Sequence, residues 1–351
     1  MDKTIDVYAL GNALVDIEFE VNSDQLRQLN IEKGVMTLID SEQANILQQH
    51  LEADQSLVKT HRRSSGGSAA NSLIAIAHLG GKTHFSCRVA DDDLGHFYLQ
   101  DLTTAGVAHA VTPKQVNPVM QQAEQQQTGR CLVFVTPDAD RTMNTYLGIS
   151  SQLATADIAT SALAAARYLY LEGYLVSEAD SLAAMQAAIR MAKENNTKIA
   201  LTLSDPNIVK FFHAQIMALV EQGVDMIFAN ADEACAYAGF DPGQSEAVTR
   251  AAKQLGAICP YVVITQGADP TLVVKDQQIQ SFPVQTVEPV DTLGAGDIFA
   301  GAYLYALTQD YTDTQANQLA SSLAAKLITR FGPRLDRQTL LAVFQQHCQS
   351  N

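Results

Sequence analysis

Basic residues are scarce in this chain of 351 residues: 23 lysines and arginines stand against 38 aspartates and glutamates, leaving a formal charge of −15. So acidic a surface has no general attraction for phosphate backbones or anionic bilayers, so nucleic acid and membrane are not expected as partners and a small molecule is. Cysteines are few and without pattern; Cys87, Cys131, Cys235, Cys259 and Cys348 are odd in number, scattered, and free of CxxC spacing. That argues against a disulfide framework or a thiolate zinc site and points to buried thiols in a reducing compartment. No apolar run approaches membrane-span length, and the first residues, MDKTIDVYALGNALVDI, carry acids where a secretory leader would carry a basic start and a continuous apolar core. The expected location is therefore cytoplasmic.

Several familiar motifs are also missing. GGKT at 80–83 looks like the end of a P-loop, but the first glycine that loop requires falls on Ile76. A dinucleotide fingerprint starting at Gly294 needs glycine or alanine at 299, where Phe299 stands. There is no His-Arg-Asp catalytic loop and no HExxH, and the eight histidines are dispersed, so neither a zinc hydrolase nor a histidine triad has an anchor.

What is present is a rhythm. Short apolar runs suited to buried strands occur at VYAL near Val7, 84–89, 168–171, 198–203, 225–230 and 261–265. Between them lie segments with helical spacing, such as 180–195 and 245–256. The alternation predicts an α/β fold with a mostly parallel sheet covered on both faces, organised as one domain over residues 1–351. Two stretches break the rhythm: DIEFEVN at 16–22 and the region 129–148 read as half-exposed antiparallel strands forming a small β lid from segments about 12–40 and 107–148. The Gln-rich 121–127 reads as a solvated loop.

Two glycine clusters open apolar helices. In VDTLGAGDIFAGAYLYAL, residues 290–307, the glycines permit a tight turn whose amides, aided by the helix dipole, form an anion site. If that anion is a phosphoryl group in transfer, Gly294, Ala295 and Gly296 would stabilise its oxygens, and Asp297 would take the proton of an attacking hydroxyl. On this motif alone, Asp297 as a simple helix cap is an equal reading. In SSGGSAANSLIAIAHLGG, residues 64–81, Ser68 is a plausible helix N-cap, while Asn71 one turn in, together with Asp16 after the first strand, is suited to paired hydrogen bonds with vicinal hydroxyls.

Taken together, these residues resemble the PfkB family of carbohydrate and nucleoside kinases, closest to its adenosine kinase branch. The segment GGSAANSLIAIAHLGGKTHFSCRVADDDLG is similar to the family's N-terminal signature and DTLGAGDIFAGAYL to its C-terminal one, and the likeness runs from about Asp6 to Leu335. It implies a ribokinase-like three-layer α-β-α sandwich with a small β lid, and transfer of the γ-phosphoryl group of ATP to a primary hydroxyl of a ribosyl substrate, a nucleoside such as adenosine or, alternatively, a sugar. It implies Asp297 as general base, with Gly294, Ala295 and Gly296 as anion-hole amides. Asn12 and Asp16 would face the ribose, with Gly67 and Asn71 opposite. NADE, Asn230 to Glu233, matches an Asn-x-x-Glu motif tied to Mg2+, held near Glu233 through water, and Thr265 and Gly267 are expected at the nucleotide. Asp291 and the region of Gly332 resemble a monovalent cation site, which would take K+. Arg130 or Arg141 could clamp phosphate from the lid. A noncatalytic nucleotide or sugar sensor and a nicotinamide oxidoreductase are the rival classes; monomer and homodimer are both open.

Overall fold

The computed structural model describes residues 3–34, 36–53, 62–115, 126–137 and 141–350. Nine strands form the main sheet: β1 (Ile5–Leu10), β5 (Thr83–Ser86), β6 (Ala108–His109), β9 (Ala166–Glu172), β10 (Lys198–Thr202), β11 (Met226–Asn230), β12 (Tyr261–Gln266), β13 (Asp269–Lys275) and β14 (Gln278–Phe282). Five more form a second sheet: β2 (Leu14–Glu20), β3 (Met36–Leu38), β4 (Arg62–Gly66), β7 (Gly129–Val135) and β8 (Arg141–Tyr146). The main order is β14-β13-β12-β11-β10-β9-β1-β5-β6, parallel from β12 to β6 and antiparallel only at β13 and β14.

Each face of this sheet is covered. Strands buried on both sides need apolar residues at successive positions, as in VYAL and YLYL, and their alternate side chains feed two separate cores. One core joins Val7, Ala9 and Phe228 to helices Ser68–His78, Ala295–Thr308 and Asp313–Ile328; the other joins Leu10, Leu171 and Ile227 to Ala179–Glu194 and Ala247–Gly256. This is the three-layer α/β sandwich. The expected strand over 84–89 stops at Ser86, because its partner β1 ends at Leu10, the residue paired with Ser86.

The second sheet, ordered β3-β8-β7-β2-β4, differs from expectation in two respects. Strands β2 and β7 pair in parallel, Leu14 opposite Gly129 through Glu20 opposite Val135; the chain between them crosses through the main sheet and returns in the same direction. Its strands come from 14–66 and 129–146, so β4 joins it from beyond residue 40, and β6, inside 107–148, pairs with β5 in the main sheet. Most of the Gln-rich segment, 121–125, lies outside the described residues. Among the described residues no helix is long and apolar enough to cross a membrane.

Candidate active site

The chemistry-bearing residues converge because two helices approach more closely than side chains would normally allow. A Cβ at Gly301 would come within 2.5 Å of the Ser72 carbonyl oxygen, so only glycine lets helix Ala295–Thr308 lie this close to helix Ser68–His78. The approach brings residue 297 onto the first turn of the other helix. Ser68 Oγ donates to Asp297 Oδ1 at 2.6 Å, Asn71 Nδ2 to Oδ2 at 2.9 Å, and Ser72 Oγ to the Asp297 carbonyl at 2.9 Å. Burial pushes the Asp297 carboxyl above the ordinary aspartate value, while the Ser68 and Asn71 hydrogen bonds pull it back. Asn71 lines the cavity, and its buried Oδ1 has no hydrogen-bond partner. Ser68 is not the helix cap. That position is Gly67, with φ 95° and no side-chain cap bond, and a Cβ there would meet the Asn12 carbonyl oxygen at 2.3 Å.

A cavity of about 790 Å³ holds these groups, within the usual range for small-molecule sites. Of the expected residues, Asn12, Asp16, Gly67, Asn71, Arg141, Asn230, Glu233, Asp291, Gly294, Gly296 and Asp297 all line it. Gly294 caps helix Ala295–Thr308 with φ 74°, and a Cβ there would strike the Pro333 carbonyl oxygen at 2.2 Å. A Cβ at Gly296 would meet nothing within 4 Å, so that glycine leaves a cradle beside the first-turn amides where an anion can approach the backbone. The expected three-amide hole differs at Ala295, whose N–H donates to the Thr292 carbonyl at 3.2 Å and is therefore turned toward its own chain.

Thr265 and Gly267 do not line this cavity. Thr265 pairs with Asn230 across β11 and β12, and Gly267 follows in the next turn with φ 62°, so both lie one strand beyond it at the carboxyl end of the sheet. Ligands of open parallel sheets bind at that end. Asn230 caps helix Ala231–Ala238 and accepts from Glu233 N, while Glu233 Oε2 accepts from Asn230 N at 2.9 Å and Oε1 from Asn230 Nδ2 at 2.8 Å. The capping box is thus a fact of the structure, and burial still raises the Glu233 carboxyl to about 7.

The two lid arginines part company. Along a strand, alternate residues face opposite ways, and β7 turns Cys131 and Val133 to the cavity and Arg130 away from it. Arg130 is buried against Gln127, Asn45 and the Tyr146 ring, so it is no phosphate clamp. Arg141 does line the cavity, but as an ion pair: its Nε lies 2.8 Å from Asp291 Oδ2 and its Nη1 2.9 Å from Glu18 Oε1, tying lid to signature loop. Asp291 also accepts from Leu293 N at 3.0 Å and Gly332 N at 2.9 Å.

Two residues of the site were not singled out in the sequence. Glu172, at the end of β9 and almost wholly buried, accepts from Asn12 N at 2.7 Å and Ala69 N at 2.8 Å, clasping the loop that carries Asn12 to the start of the helix that carries Ser68 and Asn71. Burial raises it to about 7, against those two amide hydrogen bonds. Its only signal in the sequence was a charge ending an apolar strand, YLYLE. Gly66 was missed too; a Cβ there would fall 2.3 Å from Asp16 Oδ1. Asp16 itself is raised to about 7, first by burial, with Arg334 opposing.

A wide carboxyl-end cavity, a carboxylate at a glycine-opened helix start and a lid across it define a small-molecule phosphotransferase of the ribokinase type. Comparison with known proteins bears on the class directly. A family model for pfkB family carbohydrate kinases matches residues 36–340, and the chain belongs to that family. It is 31% identical to an adenosine kinase from Sinorhizobium meliloti, with a TM-score of 0.85 over 97% of this chain and 99% of that one. It is equally 31% identical to a probable sugar kinase from Rhizobium etli, with a TM-score of 0.86 over 99% of both. An adenosine kinase from Schizophyllum commune is 27% identical over 93% of this chain and 96% of its own length. The chain is a kinase with an alcohol group as acceptor and ATP as donor.

Proposed function

We propose that this kinase phosphorylates the primary hydroxyl of a ribonucleoside, adenosine or a close relative. The observation that carries the choice of nucleoside is the inner face of the lid, where Leu14, Met36, Cys131, Val133, Met143 and Leu147 set an apolar wall next to Asp16 and Asn71. A free sugar has little apolar surface to bury there, whereas a purine adds a large flat one. A sugar kinase is the second reading, favoured by one feature: among the described residues the lid strands contribute no aromatic ring to the cavity.

In this reading Asp16 accepts from the ribose diol and the unpartnered Oδ1 of Asn71 accepts another hydroxyl, with Asn12 and Gly67 shaping the same wall. Asp297 takes the acceptor proton as the hydroxyl oxygen forms its bond to the γ-phosphorus and the bond to the β,γ-bridging oxygen breaks. The cradle at Gly294 and Gly296 fits the transferring group, and Arg141 holds the lid over it, limiting access of water. Thr265 and Gly267 would flank the nucleotide. Bound ATP supplies the phosphoryl group, and Mg2+ would spread its charge. Among the described residues no cluster of three or more His, Cys, Asp or Glu could hold a metal ion. That suits magnesium brought in with phosphates and its own water, near Asn230 and Glu233.

For potassium the fit is poorer, because the charge of Asp291 is already met by Arg141 at 2.8 Å. Turnover independent of potassium is expected when sodium replaces it at constant ionic strength; strong stimulation by potassium would contradict this. The substrate reading is tested by ATP consumption with adenosine, inosine, guanosine, ribose and fructose. Highest kcat/KM with a nucleoside is expected, and turnover confined to sugars would overturn it.

A further inference from the structure

The Asp297 carboxylate is buried in a cavity that carries several other acids. Asp16 from β2, Glu172 from β9, Glu233 from helix Ala231–Ala238 and Asp205 from the start of helix Pro206–Phe211 line the same cavity, as does Tyr174 after β9. Tyr170 of β9 lies beneath, linked through Ser72. Among the described residues Arg141 pairs with Asp291 and Glu18, and Arg334 with Ser65 and Asp101. Burial favours a protonated carboxyl, yet a general base must be ionised to act.

Three side chains of one helix turn answer this. Ser68, Asn71 and Ser72, spaced i, i+3 and i+4, share one face and all address residue 297. Ser72 fixes its carbonyl, Asn71 holds Oδ2, and Ser68 holds Oδ1. Asn71 is also the amide assigned to the substrate through its Oδ1, so the side chain whose Nδ2 holds the carboxylate answers to two partners, and Ser68 is the side-chain donor that serves the carboxylate alone. The Ser68 hydroxyl is not used to cap its helix, since Gly67 occupies that position without a side-chain bond.

We propose that Ser68 is a positioning residue for phosphoryl transfer, its hydroxyl fixing the orientation of Asp297 and keeping that carboxylate available as a base while Asn71 engages the acceptor. The inference rests on Asp297 as the base. Removing a donor from a carboxylate favours its protonated form, so loss of this hydroxyl displaces the acidic side of the pH–rate profile toward higher pH.

The test is the pH dependence of kcat/KM for Ser68→Ala and Ser68→Thr, with the best acceptor from the panel and saturating magnesium-ATP. In Ser68→Ala the acidic limb is expected to move up by roughly one pH unit and neutral-pH kcat to fall on the order of tenfold; Ser68→Thr, which restores a hydroxyl, is expected to return both toward wild type. An Ala variant of native Tm whose limb does not move, or one in which only KM rises, overturns the inference. Should Ser68→Ala melt below the assay temperature, Ser68→Cys carries the same prediction with a smaller displacement, the thiol being a weak donor. Asp297→Asn separates the two layers: an active variant removes the base itself, whereas an inactive one beside an unmoved Ser68→Ala profile removes only the role of Ser68.

Discussion

At position 297 a carboxylate is held by two side-chain donors, and at position 71 one amide holds that carboxylate through Nδ2 while its Oδ1, the proposed substrate contact, has no partner. Replacing Asn71 with alanine removes both contacts. Steady-state kinetics of Asn71→Ala should show acceptor KM raised on the order of tenfold, with kcat falling as well; an unchanged KM would show that the amide does not touch the acceptor. The glycine-aspartate motif was readable from sequence because backbone conformation and chemistry coincide in it: Gly294 has to adopt φ 74°. Glu172 was not readable, since a glutamate closing an apolar strand looks like a turn residue until the fold brings the Asn12 and Ala69 amides onto it.

At the level of elements, the site depends on one close helix crossing. Gly301→Ala would place a methyl group within 2.5 Å of the Ser72 carbonyl. Backbone cannot yield there as a flexible side chain would, so a loss of about 1–3 kcal/mol is expected. Thermal melts should show a Tm lowered by several degrees, together with reduced kcat as Asp297 is drawn away from Ser68 and Asn71; an unchanged Tm would mean the crossing is looser than it looks. Strand alternation explains what the sequence left undecided in the lid. Arg130 and Arg141 were equivalent as candidates, and only the facing of β7 and β8 puts Cys131, Val133, Arg141 and Met143 on the cavity side and Arg130 behind. The main sheet was legible because its strands are buried on both faces and read as continuous apolar runs. The β2–β7 pairing was not, because alternation marks a half-buried strand without giving its partner's direction.

For the whole molecule, the cost of the site lies in its buried acids. Asp16 is raised to about 7, first by burial, whereas in the unfolded chain it titrates near the usual aspartate value of about 4. The folded state therefore binds the proton more tightly, and this group's contribution to stability declines as pH rises from about 4 through 7. His78, His84 and His109 are lowered by burial and act in the opposite sense below their ordinary value, so the comparison with a variant is cleaner than a single curve. The Tm of Asp16→Asn relative to wild type, both without ligand, should climb as pH rises from about 5 to 8, a difference in which the histidines cancel. A difference that stays flat or falls would mean Asp16 is already well solvated or paired when ionised.

The most direct measurement is turnover of Asp297→Asn alongside calorimetric binding of the acceptor to the same preparation. The amide keeps the shape of the carboxylate but cannot take a proton, so acceptor affinity should stay within several-fold of wild type while kcat falls by roughly 10²–10⁴. Near-native turnover with intact binding would contradict the assignment of Asp297 as the base.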